Sequence, residues 1–139
     1  MREQGTTGRT ARAWLVAAAL LPALGCDALR TVPPPRQVPG GDAARGRATI
    51  EKYGCTGCHS VPGINRESWV APPLTNFGDR SFVAGVVSNN SENLIRWIEN
   101  PKQIAPETAM PNLGVTEADA RDIAAYLYTL RSRTPQMPR

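Results

Sequence analysis

The sequence has 139 residues, with 16 Lys or Arg, 12 Asp or Glu and a formal net charge of +4, and this length predicts one domain. Removing residues 1–25 would take away three Arg and one Glu and leave 13 basic and 11 acidic side chains, so half of the net positive charge belongs to the N-terminus. No run of Lys and Arg with interleaved aromatic residues is present, which excludes a recognisable nucleic-acid-binding segment.

The N-terminus has the three-part layout of a secretory signal. Three Arg residues precede an apolar run from Ala13 to Leu24, and the run ends at Gly25 and Cys26. Twelve apolar residues span about 18 Å as a helix, whereas a hydrocarbon core is about 30 Å thick. We therefore expect residues 1–25 to be a cleaved signal peptide rather than a permanent membrane span.

The end of this signal resembles a bacterial lipoprotein signal, in which a Cys becomes lipidated and is the first mature residue. Cys26 would be that residue, although the lipoprotein pattern usually has Leu at the position of Ala23. Lipidation would account for a third thiol in an exported protein. An ordinary signal cleaved nearby and an uncleaved signal are the alternatives.

Residues 26–41 are predicted to form a linker. They contain the runs Pro33-Pro34-Pro35 and Pro39-Gly40-Gly41 and no apolar period that could bury a face. At about 3.1 Å per residue, such an arm could hold a domain some tens of Å from a membrane. A disordered leader without a spacer role has the same composition.

A first helix is predicted from Asp42 to Tyr53. Asp42 can cap its N-terminus, Gly46 and Ile50 lie on one face with Tyr53, and Gly54 can end it. A glycine inside a helix costs about 1 kcal/mol relative to alanine. Gly46 therefore predicts the close approach of a second helix.

Residues 55–59, CTGCH, are the most specific signal in the chain. Two Cys three positions apart, followed directly by a His, are the pattern that attaches a haem by two thioether bonds and gives its iron a proximal nitrogen. His59 is the only histidine of the sequence, which makes its position after Cys58 hard to attribute to chance.

Cys55 and Cys58 have two other possible roles, as zinc ligands or as a redox or structural dithiol. A zinc site needs four ligands, and only Cys26 is left to pair with them. A redox dithiol or structural disulfide of the thioredoxin type would have a strand before the pair and a helix after it. Here a predicted helix precedes the pair and a loop rich in Pro and Gly follows, so haem attachment is favoured.

The rest of the chain alternates loops and short helices. The prediction is a loop over 61–79, a short helix over 81–87, a turn and cap at 89–91, a helix over 92–100 ended by Pro101, an extended loop over 108–116, a helix that begins after Thr116, and a polar tail over 133–139. Thr116 and Asp119 have the spacing of a capping box, and Ile123, Leu127 and Leu130 form the apolar stripe of the last helix.

Residues 42–132 resemble the monohaem class I c-type cytochromes. The resemblance rests on CTGCH at 55–59, APPL at 71–74, WIENP at 97–101 and MPNLG at 110–114. It implies an all-α fold of the class I cytochrome c type, with helices packed around one covalently attached haem c. It also implies that Gly46 packs beside Tyr126 where the first and last helices cross.

The resemblance also implies roles for individual residues. Cys55, Cys58 and His59 would attach and ligate the haem, and Met110 would be the second axial ligand of its iron. The Pro72 carbonyl would accept the other N–H of His59, while Arg80 and Trp97 would donate to the haem propionates. Packing in the core or in a turn is the alternative for Met110, Trp97 and Pro72, and simple surface exposure is the alternative for Arg80.

The predicted function is one-electron transfer between redox protein partners at the bacterial cell envelope, with no nucleic acid, small-molecule substrate or catalysis of its own. The chain would be exported to the periplasm or the outer face of the cytoplasmic membrane and anchored through Cys26. A cytochrome subunit of a respiratory complex, such as a terminal oxidase or a quinol-oxidising complex, is the alternative. A haem peroxidase or ligand sensor would need an open iron site, and a structural disulfide-bonded lipoprotein would leave His59 and Met110 without a purpose.

Overall fold

The protein's computed structural model describes residues 34–64 and 67–132. The helices are α1 (Ala43–Lys52), α2 (Ser91–Glu99), α3 (Pro101–Ile104) and α4 (Glu117–Thr129), and the strands are β1 (Phe82–Val83) and β2 (Val87–Ser88). The expected signal peptide at 1–25, Cys26, the first part of the linker and the tail at 133–139 lie outside the described residues. None of the helices in the described part is long and apolar enough to cross a membrane.

Side chains cap the three longer helices at the predicted positions. The Asp42 carboxylate accepts from the Arg45 backbone N–H at the start of α1, and the Asn90 amide oxygen accepts from Asn93 N–H at the start of α2. The Thr116 hydroxyl accepts from Asp119 N–H before α4. These bonds satisfy backbone donors that have no partner inside a helix, which is why each helix begins where it does.

Helices α1 and α4 pack closely at Gly46. A Cβ atom on Gly46 would lie 1.9 Å from the Asp122 carbonyl oxygen and 3.0 Å from the Ile123 nitrogen, so the predicted close approach is confirmed. The nearest atoms to Gly46 are therefore backbone atoms of α4 rather than an aromatic ring. Tyr126 instead donates a hydrogen bond from its hydroxyl to the Pro62 carbonyl, at 2.8 Å.

An ion pair also links α1 and α4 where the two helices cross. The Arg45 guanidinium donates to both carboxylate oxygens of Asp122, at 2.7 and 2.9 Å, and the Asp42 backbone N–H donates to Asp122 at 2.7 Å. The hydrogen bond from Arg45 lowers the pKa of Asp122 from its ordinary value. The residue is buried but fully paired, as a charge in such a place must be.

The core lies between α1, α2 and α4. Its largest members are fully buried, among them Tyr128, Ile50, Leu94, Val61 and Val83. The described residues are predominantly helical, in agreement with the predicted all-α class. Their only sheet is a two-stranded hairpin.

The predicted helix over 81–87 is wrong. The segment forms a hairpin in which Phe82 pairs with Ser88 and Val83 with Val87 in antiparallel register. Ala84 and Gly85 turn the chain with φ angles of +49° and +78°, values that a right-handed helix cannot contain. The β-branched valines on both sides of this turn favour extended backbone, and this preference decides the local structure.

The helix predicted to end at Pro101 does end there, but Pro101 begins another short helix. Asn100 has a non-helical backbone between α2 and α3, and its side chain accepts from Gln103 N–H. Proline suits the first position of a helix because the N–H it lacks would have no helical partner there. The chain therefore changes direction at Asn100 and continues as α3.

The second half of the predicted linker is not a free arm. Val38 is 8% exposed and belongs to the hydrophobic core. The Arg36 guanidinium donates to the Gly78 carbonyl at 2.6 Å, and Arg121 donates to the Pro39 carbonyl at 3.1 Å. Residues 36–41 thus pack against the domain, because one buried side chain and two arginine contacts offset the loss of chain freedom in this short segment.

Candidate functional site

The CTGCH segment forms a tight turn at the end of α1. Gly54 adopts a φ of +69°, which ends the helix, and Cys55–Gly57 form one 3₁₀ turn. The backbone N–H groups of Cys58 and His59 both donate to the Cys55 carbonyl, at 3.2 and 2.9 Å. This turn places the two Cys and the His on one short, hydrogen-bonded segment.

Both thiols of this segment are free and half-buried. Burial raises the pKa of the Cys55 thiol above its ordinary value of 9.0. Cys55 also packs against the hydrophobic core, so an apolar group attached there would continue that core.

The His59 ring is oriented by a backbone carbonyl. Its Nδ1 lies 2.8 Å from the Pro72 carbonyl oxygen. Because a carbonyl oxygen can only accept, Nδ1 carries the proton and the lone pair of Nε2 is available to a metal. The contact predicted between His59 and Pro72 is thus present, and Pro72 acts through its main chain while its side chain is exposed.

Further hydrogen bonds hold the loop that carries Pro72 against the CTGCH turn. The Ser68 hydroxyl donates to the Cys58 carbonyl at 2.6 Å, and the Ala71 backbone N–H donates to the same oxygen at 3.0 Å. Leu74 N–H donates to the Ser60 carbonyl at 2.9 Å. The sequence analysis missed Ser68, because a serine in an irregular loop carries no spacing signal.

Arg80 lies at the far end of the same loop. Its guanidinium donates to the carbonyls of Pro73 and Thr75 and lies 5.4 Å from the centre of the Phe77 ring. The Arg80 guanidinium therefore contacts Pro73, the residue next to Pro72, and stabilises this loop by hydrogen bonds. Its predicted role as a propionate donor stays a prediction.

Trp97 lies on α2 and is buried, with 7% of its surface exposed. Its indole N–H makes no hydrogen bond to any described residue, while every fully buried side-chain polar atom of the described residues has a partner. The N–H therefore reaches the surface of the polypeptide and can donate to another group there. Packing and donation are both compatible with this position.

Met110 lies in the extended segment between α3 and α4. Its side chain is half-buried and packs against the hydrophobic core, and its backbone N–H donates to the Thr108 hydroxyl at 3.3 Å. Pro111 follows and keeps the backbone out of the helical region at Met110. The thioether thus belongs to the same core as Cys55, although the two lie in different loops.

The donor set fits a haem c. Two free thiols, an imidazole with its Nδ1 already satisfied and a thioether are the groups that attach a haem and fill both axial positions of its iron. Within the described residues, no three His, Cys, Asp or Glu side chains are grouped so as to hold a metal ion by themselves.

Comparison with known proteins shows which family the chain resembles. The family model described as cytochrome c matches residues 43–131. Cytochrome c oxidase subunit 2 of Alkalihalophilus pseudofirmus is 38% identical over 90 residues, covering 64% of this chain and 26% of that protein.

Two more relatives carry the same name. Cytochrome c oxidase subunit 2 of Bacillus sp. strain PS3 is 33% identical over 94 residues, which are 64% of this chain and 26% of that protein. Cytochrome c oxidase subunit 2 of Bacillus subtilis is 32% identical over 89 residues, which are 62% of this chain and 25% of that protein. The chain therefore spans about a quarter of the length of these relatives.

A solved structure of cytochrome c2 from Rhodobacter sphaeroides is also similar. It has 18% sequence identity and a TM-score of 0.48, and the match covers 68% of this chain and 99% of that one.

Proposed function

Because this chain belongs to the cytochrome c family, whose members bind haem c covalently, we propose that it is a one-electron carrier with a His/Met-ligated haem. Cys55 and Cys58 would form the thioether bonds, and His59 and Met110 would be the axial ligands. The iron of such a group takes up and releases one electron without bond-making in a substrate.

The hydrogen bond between His59 and Pro72 is the observation that carries this proposal. It fixes the ring so that Nε2 is free, and it increases the basicity of the imidazole as a ligand. His59, which makes this hydrogen bond, directly follows the second cysteine of the CTGCH segment, where a haem-attachment motif has its proximal ligand.

The other residues would hold and shield the group. The half-buried Met110 would complete the axial ligation and leave no open iron position for oxygen or peroxide, which argues against a peroxidase or sensor. The Trp97 indole N–H and the Arg80 guanidinium are donors of the types suited to propionates. The chain itself would do no catalysis.

A subunit or tethered domain of a terminal oxidase is the second candidate. The relatives named cytochrome c oxidase subunit 2 favour it, although this chain corresponds to only about a quarter of each. In that case the chain would pass electrons within a complex instead of between diffusing partners.

The proposal includes export and a lipid anchor. Residues 1–25 would be removed as a signal peptide, and Cys26 would carry the lipid that holds the protein at the outer face of the cytoplasmic membrane. Since residues 36–41 pack on the domain, the proposed linker after Cys26 would be limited to residues 27–35. At about 3.1 Å per residue they would reach about 28 Å.

Optical spectroscopy of the haem-loaded chain tests the ligand assignment. The reduced protein is expected to show the α-band of a low-spin c-type centre, and the oxidised protein a weak far-red charge-transfer band from a Met ligand. Met110→Ala should abolish the far-red band and lower the reduction potential, because His/Met ligation raises it. An unchanged spectrum in Met110→Ala would remove Met110 from the site.

A further inference from the structure

Two large hydrophobic side chains are solvent-exposed in the loop that is hydrogen-bonded to the CTGCH turn. Trp69 is 94% exposed and Val70 is 77% exposed. Phe82 and Val86 of the hairpin are also exposed, at 56% and 52%. Trp69 and Val70 are adjacent in the chain and line the same open cleft, and exposed apolar side chains grouped in this way mark interaction sites more often than scattered single residues do.

Hydrogen bonds fix the place of Trp69 and Val70 in the fold. The residues on either side of the pair, Ser68 and Ala71, both donate to the Cys58 carbonyl, at 2.6 and 3.0 Å. The pair is therefore the tip of a short loop whose two ends meet at the carbonyl of one haem-attachment cysteine. An open cleft of about 680 Å³ runs along this loop, lined by Ser60 and residues 67–73.

The segments that contain the two proposed axial ligands carry almost no charge. Between Lys52 and Asp79 the residues of full charge are Arg66 and Glu67, which are adjacent and opposite in sign. Between Lys102 and Glu117 the only one is Glu107. The charged side chains of the described residues are concentrated instead on the helices, where many are paired with one another.

The distribution of charged residues determines which kind of partner can bind to this surface. A charged rim would steer an oppositely charged partner and speed association by orders of magnitude, whereas a neutral surface associates at about 10⁵–10⁶ M⁻¹ s⁻¹. Among the described residues that line the cleft, Glu67 is the only one of full charge, so affinity would come from desolvation of the tryptophan ring and not from charge pairs. The matching surface on a partner is apolar and carries little charge.

Resting on the proposed electron-carrier function, we propose that Trp69 and Val70 form the centre of the surface on which the redox partner docks. The partner is a redox protein that presents an apolar, uncharged patch over its own redox group. Docking of this kind gains nothing from long-range charge steering, so it suits a partner held close by, on the same membrane or in the same complex.

Voltammetry of the haem-loaded full-length chain on gold electrodes tests the proposal with three defined surfaces. The electrodes are coated with methyl-terminated, carboxylate-terminated and amine-terminated alkanethiol layers. Electron exchange should be fastest on the methyl-terminated layer. Trp69→Ser should slow it there by about 30-fold, which corresponds to the roughly 2 kcal/mol of one interface hot spot.

Phe82→Ser is the matched control, since it also removes an exposed aromatic ring but lies in the hairpin and does not line the cleft at residues 67–73. It should leave the exchange rate within about twofold of the parent. Equal losses in the two variants, or fastest exchange on a charged layer, would overturn the docking proposal. In each case the optical spectrum and midpoint potential show whether the haem and its ligands are intact, so failure of docking is distinguished from failure of the electron-carrier function.

Two further measurements exclude other occupants of this surface. If Trp69→Ser lost binding to phosphatidylcholine vesicles with no change at the methyl-terminated electrode, the surface would be a membrane contact and the proposal would be wrong. If it converted a dimer to a monomer in sedimentation velocity, the occupant would be a second copy and the proposal would again be wrong. A monomer with unchanged vesicle binding supports the proposal.

Discussion

Gly46→Ala tests how tightly the first and last helices must approach. The added Cβ would lie 1.9 Å from the Asp122 carbonyl oxygen and 2.4 Å from its carbon. Ordinary van der Waals contact begins at 3.4 Å, so the helices would have to separate by about 1.5 Å at this point. The same separation would weaken the contacts of Arg45 and Asp42 with Asp122.

Two opposing effects set the magnitude. Overpacking of this kind costs about 3 kcal/mol or more when backbone must move, while replacing a helical glycine with alanine gains about 1 kcal/mol. We therefore expect Gly46→Ala to lower the free energy of unfolding by about 2 kcal/mol, or the melting temperature by roughly 8–16 °C for a domain of this size.

Urea titration of the haem-loaded protein, followed by far-UV circular dichroism, measures the effect. Ala48→Gly is the control, because Ala48 is exposed on α1 and reports the helix preference alone, with an expected loss of about 1 kcal/mol. If Gly46→Ala stabilised the protein by about as much as Ala48→Gly destabilises it, the close packing of α1 on α4 would be refuted.

Three other predictions concern the surroundings of the site. Asn89 is buried, donates to the carbonyls of Phe77 and Arg80, and accepts from the Tyr128 hydroxyl. Asn89→Leu should therefore lower the free energy of unfolding by about 3 kcal/mol in urea titrations, and a loss under about 1 kcal/mol would contradict this prediction. Val38→Ala removes two buried methyl groups and should cost about 1.6 kcal/mol, against no measurable loss for Val70→Ala, and equal effects would mean that residues 36–41 do not pack on the domain. The backbone N–H of Ser132 and the side chains of Arg131 and Ser132 lower the pKa of Asp79 to about 2, so the stability that Asp79 contributes is present above pH 3.8 and is lost as the pH falls through about 2. In thermal melts, Asp79→Asn should therefore lose less stability between pH 4 and pH 2 than the parent protein does. Identical losses in the two proteins would refute this role of Asp79.

Features with local causes could be predicted from the sequence. The caps at Asp42, Asn90 and Thr116 depend on side chains within three residues of the donors they satisfy. The CTGCH segment depends on spacing alone, and Gly46 could be recognised because its cost inside a helix needs a reason. These features set the fold class and the two thiols and imidazole of the candidate site.

Features with distant causes could not be predicted. Val38 is a single valine among prolines, and it is buried only because the surface that receives it is formed by other parts of the chain. Asn89 joins Phe77, Arg80 and Tyr128, and no spacing in the sequence relates these residues. The hairpin at 82–88 was mistaken for a helix because an apolar run of seven residues has no period long enough to distinguish the two.

The most direct test of the central claim is the covalent state of Cys55 and Cys58 in native protein. Mass spectrometry of the tryptic peptide that contains CTGCH, with the haemochrome spectrum in alkaline pyridine, measures it. The account predicts a mass increase of one haem on this peptide, no thiol that reacts with maleimide, and the spectrum of a haem with two thioether bonds. A colourless protein whose two cysteines are free or joined to each other would contradict it.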